Sequence, residues 1–178
     1  PNMTPKKDET LKLCAGSAEL DPDKPFVLAG YGDGQLHEND PITRAQFAVL
    51  LYRSLTDDSK AALASSTSVF TDIAKDSWYH DAVSAFASVG VLNGCNGFFC
   101  PNDNLTYGQL IAILTRFVDA KTASMPDVSY TKHWAYKNIM TAAAYGWIQD
   151  AASVQPDRIV TRGEVVELVN SILERCKQ

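Results

Sequence analysis

Ile42-Thr43-Arg44-Ala45-Gln46-Phe47, Leu105-Thr106-Tyr107-Gly108-Gln109-Leu110 and Val160-Thr161-Arg162-Gly163-Glu164-Val165 carry one and the same helix-start signal. In each, a Thr stands three residues before a Gln or Glu. The Thr hydroxyl can accept the backbone N–H of that residue, whose side chain reaches back to the N–H of the Thr; this is a capping box. An apolar residue before each Thr and another after each Gln or Glu complete a hydrophobic staple. Three such boxes, 63 and then 55 residues apart, define an internal repeat.

Behind each box the apolar positions follow a helical period. They are Phe47, Leu50, Leu51 and Leu55; then Leu110, Ile113, Leu114, Phe117 and Val118; then Val165, Leu168, Val169, Ile172 and Leu173. One broad apolar stripe per helix predicts three equivalent helices sharing a core. Ahead of the boxes, Trp78 aligns with Trp134, Val83 with Ile139 and Gly90 with Gly146. This predicts helices over about 77–89 and 133–145, each ended by a Gly at the left-handed C′ position. Ser77 or Asp76 is the expected N-cap of the first, and Thr131 of the second.

A connector of about a dozen residues separates the two helices of a repeat. It places Glu38, Pro101 or Pro156 five residues before the capping Thr, with tight turns at Gly32-Asp33-Gly34, Asn93-Gly94 and Asn96-Gly97. The first repeat is degenerate at its front, where Leu13-Cys14-Ala15-Gly16-Ser17 replaces the Trp-bearing segment. A short helix from about 7 to 15 or 20 is expected there. Residues 56–69 read as a partly helical linker, and 119–126 as a shorter one.

A chain of 178 residues can bury a sizeable core. Units of about 55 residues with two helices do not stand alone, so a single domain spanning 1–178 is expected. Its repeats run over about 1–58, 68–120 and 125–178. A net charge of −5 argues against nucleic acid as a partner. No apolar run reaches the length of a membrane span. A chain opening at Pro1 reads as a shortened or mature fragment, so its lack of a signal peptide carries no conclusion. Cys95 and Cys100 flank a turn short enough for a local disulfide, and Cys14 and Cys176 would meet if the repeats close into a ring. Two disulfides imply export. Four free thiols are the simpler alternative, and Cys-x4-Cys is a poor zinc pattern.

The ordered pieces Phe70-Thr71-Asp72-Ile73, His133-Trp134-Ala135, Gly97-Phe98-Phe99-Cys100-Pro101 and Ile42-Thr43-Arg44-Ala45-Gln46 resemble the S-layer homology repeat. The resemblance runs from about residue 28 onward. It implies an all-α fold: a pseudo-threefold spindle of three repeats around a central three-helix bundle, with lobes built from a second helix and loops. It also implies a non-catalytic, monomeric module in a larger bacterial surface protein, outside the cell at the wall or S-layer. The implied partner is a pyruvylated secondary cell wall polysaccharide held in grooves between repeats. No cofactor is implied.

The residues suit that chemistry. Arg44 and Arg162 stand in the first helical turn, where the macrodipole disfavours a cation by about 0.3–1 kcal/mol. An arriving carboxylate would meet a guanidinium and free N–H groups together; otherwise the two arginines are solvated or paired with nearby acids. Trp78 and Trp134 either offer a face to a sugar or anchor a lobe from within. Gly90 and Gly146 end helices and would also admit close approach of a ligand. Gln46 and Glu164 are capping partners first and ligand contacts second. Asp72 and Asp127 cap or turn the chain. Tyr107 replaces the expected Arg in the second box, leaving at most two competent grooves.

Catalysis has no support in the pattern. His37, His80 and His133 fall in separate elements without metal spacing, and no nucleophile elbow or phosphate loop is present. The alternative to a glycan-binding anchor is a degenerate repeat that serves protein–protein assembly.

Overall fold

The computed structural model describes residues 10–122 and 127–177. A two-residue hairpin, β1 (Cys14–Ala15) and β2 (Ala18–Glu19), opens the described chain. Six helices follow: α1 (Arg44–Arg53), α2 (Asp57–Ala62), α3 (His80–Ser88), α4 (Tyr107–Thr115), α5 (Tyr136–Ala144) and α6 (Arg162–Arg175). A 3-10 turn, Ala151–Ser153, precedes the last. The described chain is mostly helical, as its periodicity predicts.

All three capping boxes form. Thr43, Thr106 and Thr161 accept from the N–H of Gln46, Gln109 and Glu164, whose side chains accept the threonine N–H in return. A threonine cap of this kind contributes about 1 kcal/mol. Two more first-turn N–H groups of each helix are satisfied by a connector distant in sequence. Arg44 and Ala45 donate to Asp103 O and Pro101 O; Tyr107 and Gly108 donate to Arg158 O and Pro156 O; Arg162 and Gly163 donate to Asp40 O and Glu38 O. The fixed spacing of Glu38, Pro101 and Pro156 from the boxes is thereby explained: their carbonyls serve otherwise orphaned donors.

The residues that precede the threonines close a cycle. Leu105 N donates to Ile42 O (2.9 Å), Ile42 N to Val160 O (3.4 Å) and Val160 N to Leu105 O (3.1 Å). All three side chains are buried, as are Phe47, Leu51, Leu110, Leu114, Val165, Val169 and Ile172 from the apolar stripes. Each such side chain contributes roughly 1.5–3 kcal/mol. Val118 and Leu168 pack only partly against the core.

α3 packs on α1, and α5 on α4. Both α3 and α5 end in a Schellman motif around Gly90 and Gly146, each at φ +76°. Val91 N returns to Phe86 O and Trp147 N to Ala142 O, both at 2.9 Å. Their starts differ from expectation. α3 begins after Tyr79 and α5 after Ala135, with no side-chain cap on either. Ser77, Asp76 and Thr131 therefore cap neither helix. The tight turns ahead of them, with His80 N donating to Ser77 O and Tyr136 N to His133 O, delay the helices by about three residues.

The degenerate front of the first repeat holds no helix among its described residues. Gly16 at φ +55° turns the chain into the β1–β2 hairpin instead. Residues 7–9 of that expected helix, and 123–126 of the second linker, lie outside the described residues. The first linker is partly helical, as expected, with Thr56 capping α2.

Candidate functional site

Three clefts open where the start of one capped helix meets the next helix in the cycle. Counting from the capping threonine orders them. The first position is Arg44, Tyr107 or Arg162; the third is Gln46, Gln109 or Glu164; the tenth is Arg53, Arg116 or Ser171. Cleft one, about 420 Å³, brings Arg44 together with Gln109, Arg116 and Trp134, floored by Phe99 and Asn93. Cleft two, about 240 Å³, brings Arg162 together with Gln46, Arg53 and Trp78, beside Ala29 and Tyr31. Cleft three, about 300 Å³, carries Tyr107, Glu164 and Ser171, with Arg158, Glu167 and Leu168.

The two first-turn arginines are held alike. Arg44 Nε donates to Phe99 O (2.9 Å) and Nη2 to Asn93 O (3.2 Å). Arg162 Nε donates to Leu36 O (3.3 Å) and Nη2 to Ala29 O (2.7 Å). Each guanidinium stands 4.7 Å from an aromatic centroid, Phe99 and Tyr31 respectively. Carbonyl dipoles and a ring face thus offset part of the cost of placing a cation at a helix start. Neither removes the charge: among the described residues neither arginine is in an ion pair. Arg162 is only 3% exposed, which makes it a buried structural clamp as well as a cation.

The tenth-position arginines, Arg53 and Arg116, are site residues that the capping boxes alone do not point to. Both recur at one offset from the box, and both are cationic on helices otherwise poor in charge. Arg116 Nη1 donates to Val91 O at 2.7 Å, and the Asn93 amide oxygen, once oriented to suit its neighbours, accepts from Nη2. Burial lowers the basicity of Arg116, and the Arg44 charge lowers it further. Arg44 is itself lowered by burial, against the opposing pull of Cys100, Asp103 and Asp72. Two guanidiniums that repel one another in one cleft make it receptive to an anion.

Trp78 and Trp134 are 64% and 59% exposed, on the rims of clefts two and one. They do not anchor the core. Gln46 lines cleft two with Arg162, away from the arginine of its own box. Glu164 lies in cleft three, where Arg158 Nη1 donates to both carboxylate oxygens at 2.9 and 3.0 Å. It is therefore not a partner of either first-turn arginine. Gly90 and Gly146 are not among the residues lining the three clefts; both end their helices at φ +76°. Asp72 ties its segment to the connector, accepting from Phe99 N and Cys100 N.

The expected disulfides are not formed; Cys14, Cys95, Cys100 and Cys176 are free thiols. Cys176 is buried with its Sγ donating to Ile172 O in its own helix, whereas Cys14 sits exposed in the hairpin. Cys95 and Phe98 exchange backbone hydrogen bonds, so the turn after Cys95 closes two residues short of Cys100. No helix of the described residues is long and apolar enough to cross a membrane.

The S-layer homology domain matches residues 69–111 and 129–166. The chain is 30% identical over 165 residues to cell surface glycoprotein 1 of Acetivibrio thermocellus, covering 83% of this chain and 7% of that protein. The cellulosome-anchoring protein of the same organism is 28% identical over 185 residues, 97% of this chain and 40% of that protein. Exoglucanase XynX, also of Acetivibrio thermocellus, is 25% identical over 160 residues, 84% of this chain and 14% of the enzyme. The chain spans well under half the length of each of these relatives.

Proposed function

We propose that this chain is a non-catalytic S-layer homology module of three repeats, arranged as a pseudo-threefold spindle, that anchors its parent protein to the bacterial cell wall. The closed hydrogen-bond cycle through Ile42, Leu105 and Val160 supports the threefold arrangement. The match to the S-layer homology domain, and similarity to proteins named for the cell surface and for cellulosome anchoring, support the location. Its ligand is an acidic secondary cell wall polysaccharide, and a pyruvate ketal supplies the carboxylate.

One observation carries the ligand: two clefts each pair two guanidiniums with an exposed Trp and a Gln amide. A carboxylate takes charge-assisted hydrogen bonds from the arginines, each worth about 1.5–3 kcal/mol. The indole covers the apolar face of the sugar ring. The test is co-sedimentation of the chain with purified sacculi before and after removal of the wall polysaccharide. Binding should vanish with the polymer and with the Arg53→Ala, Arg116→Ala double variant. A double variant that sediments like the parent refutes the site.

A further inference from the structure

We infer that the third cleft takes a protonated amine-bearing sugar rather than an acidic one. This rests on the reading of the clefts as glycan sites and gives them unequal specificity. At matched positions the third cleft reverses the electrostatics of the other two. Tyr107 stands where Arg44 and Arg162 do, and Ser171 replaces Arg53 and Arg116. Glu164 replaces a Gln, and Glu167 stands where Val49 and Ala112 lie.

Arg158 pairs with Glu164 within the cleft, its Nη1 donating to both carboxylate oxygens, and its guanidinium lies 5.4 Å from the Tyr107 ring centroid. That pair cancels internally, leaving Glu167 as the unbalanced charge; among the described residues it is in no ion pair. Burial pushes the Tyr107 phenol up. The apolar floor of Leu110, Val160 and Leu168 and the Ser171 hydroxyl provide what a sugar ring needs, C–H contact and one hydrogen-bond partner. An acidic ligand there would meet the Glu167 carboxylate. An ammonium would complement it.

The experiment titrates the full chain with a glucosamine tetramer in weakly acidic buffer, against the N-acetylated tetramer, by calorimetry and NMR. Saturable binding of the amine form alone is expected, with shifts at Leu110, Leu168 and Ser171. Glu167→Gln should weaken it at least tenfold, and Asp58→Asn, an exposed acid on α2, should not. Absence of saturable binding, or equal weakening by both variants, overturns the inference. The acidic wall polymer, run in parallel on Arg53→Ala with Arg116→Ala, reports separately on the anion-binding clefts. Loss of that signal with retained amine binding tells the two sites apart.

Discussion

The guanidinium of Arg162 lies over the ring of Tyr31 while its Nη2 donates to Ala29 two residues earlier, so one side chain seals the connector of the first repeat against the last helix. Arg162 is nearly fully buried, and its truncation removes the side-chain donor to Ala29 O and Leu36 O together with the contact to the Tyr31 ring. Arg162→Ala should lose about 2–3 kcal/mol of stability, by urea denaturation. The half-buried Arg44→Ala should lose about half as much.

Arg53 is exposed and its side chain makes no hydrogen bond among the described residues, although it lines cleft two. Arg53→Ala should leave stability within about 0.5 kcal/mol while weakening polysaccharide binding about tenfold. Thermal melts and sacculus binding, measured together, separate the two effects.

Trp78 and Trp134 stand on cleft rims, more than half exposed. Replacing both with Ala should shift the melting temperature by no more than a few degrees. Binding to wall polymer should fall by about an order of magnitude, on the scale of aromatic contacts worth about 1 kcal/mol each. A large loss of stability would show that they hold the lobes instead.

Asn170 clamps the Phe26 backbone from α6, accepting its N–H at 2.7 Å and donating to its carbonyl at 3.0 Å. Phe26 is buried, its ring 6.0 Å from that of Phe47. Asn170→Ala should cost about 1–3 kcal/mol. Hydrogen exchange should rise first around residues 26–28.

Two exposed carboxylates are held below their usual range: Asp57 by the Lys24 ammonium at 2.6 Å, and Asp33 by the Gln35 N–H and then His37. A depressed folded pKa adds stability that is complete above the unfolded value, about 3.9. It is lost as pH falls through the lower folded value. Melting temperature should therefore hold from neutral pH to about 5 and fall below 4. The Asp33→Asn, Asp57→Asn double variant should flatten that fall.

Much of the architecture was readable in one dimension because its determinants are local. A Thr and a Gln three residues apart satisfy each other wherever the chain goes, and Gly90 and Gly146 take a positive φ for the same local reason. The helix starts at Ser77 and Thr131 misled because a hydroxyl near a helix advertises a cap, while the turn actually formed decides where the helix begins. The hairpin at Gly16 stands where the sequence predicts a helix, because the degenerate repeat leaves only a weak helical pattern there.

Pairing across the clefts is another matter. Local sequence specified the starts of the three capped amphipathic helices, the glycine stops of α3 and α5, and the cations at the starts of α1 and α6, since these depend on neighbours within one turn. That Arg44 shares a cleft with Gln109, Arg116 and Trp134, and Arg162 with Gln46, Arg53 and Trp78, follows from the tertiary structure alone. Each cleft joins at least two segments more than forty residues apart, brought together by burial of the stripes and by hydrogen bonds between one repeat's connector and another's helix.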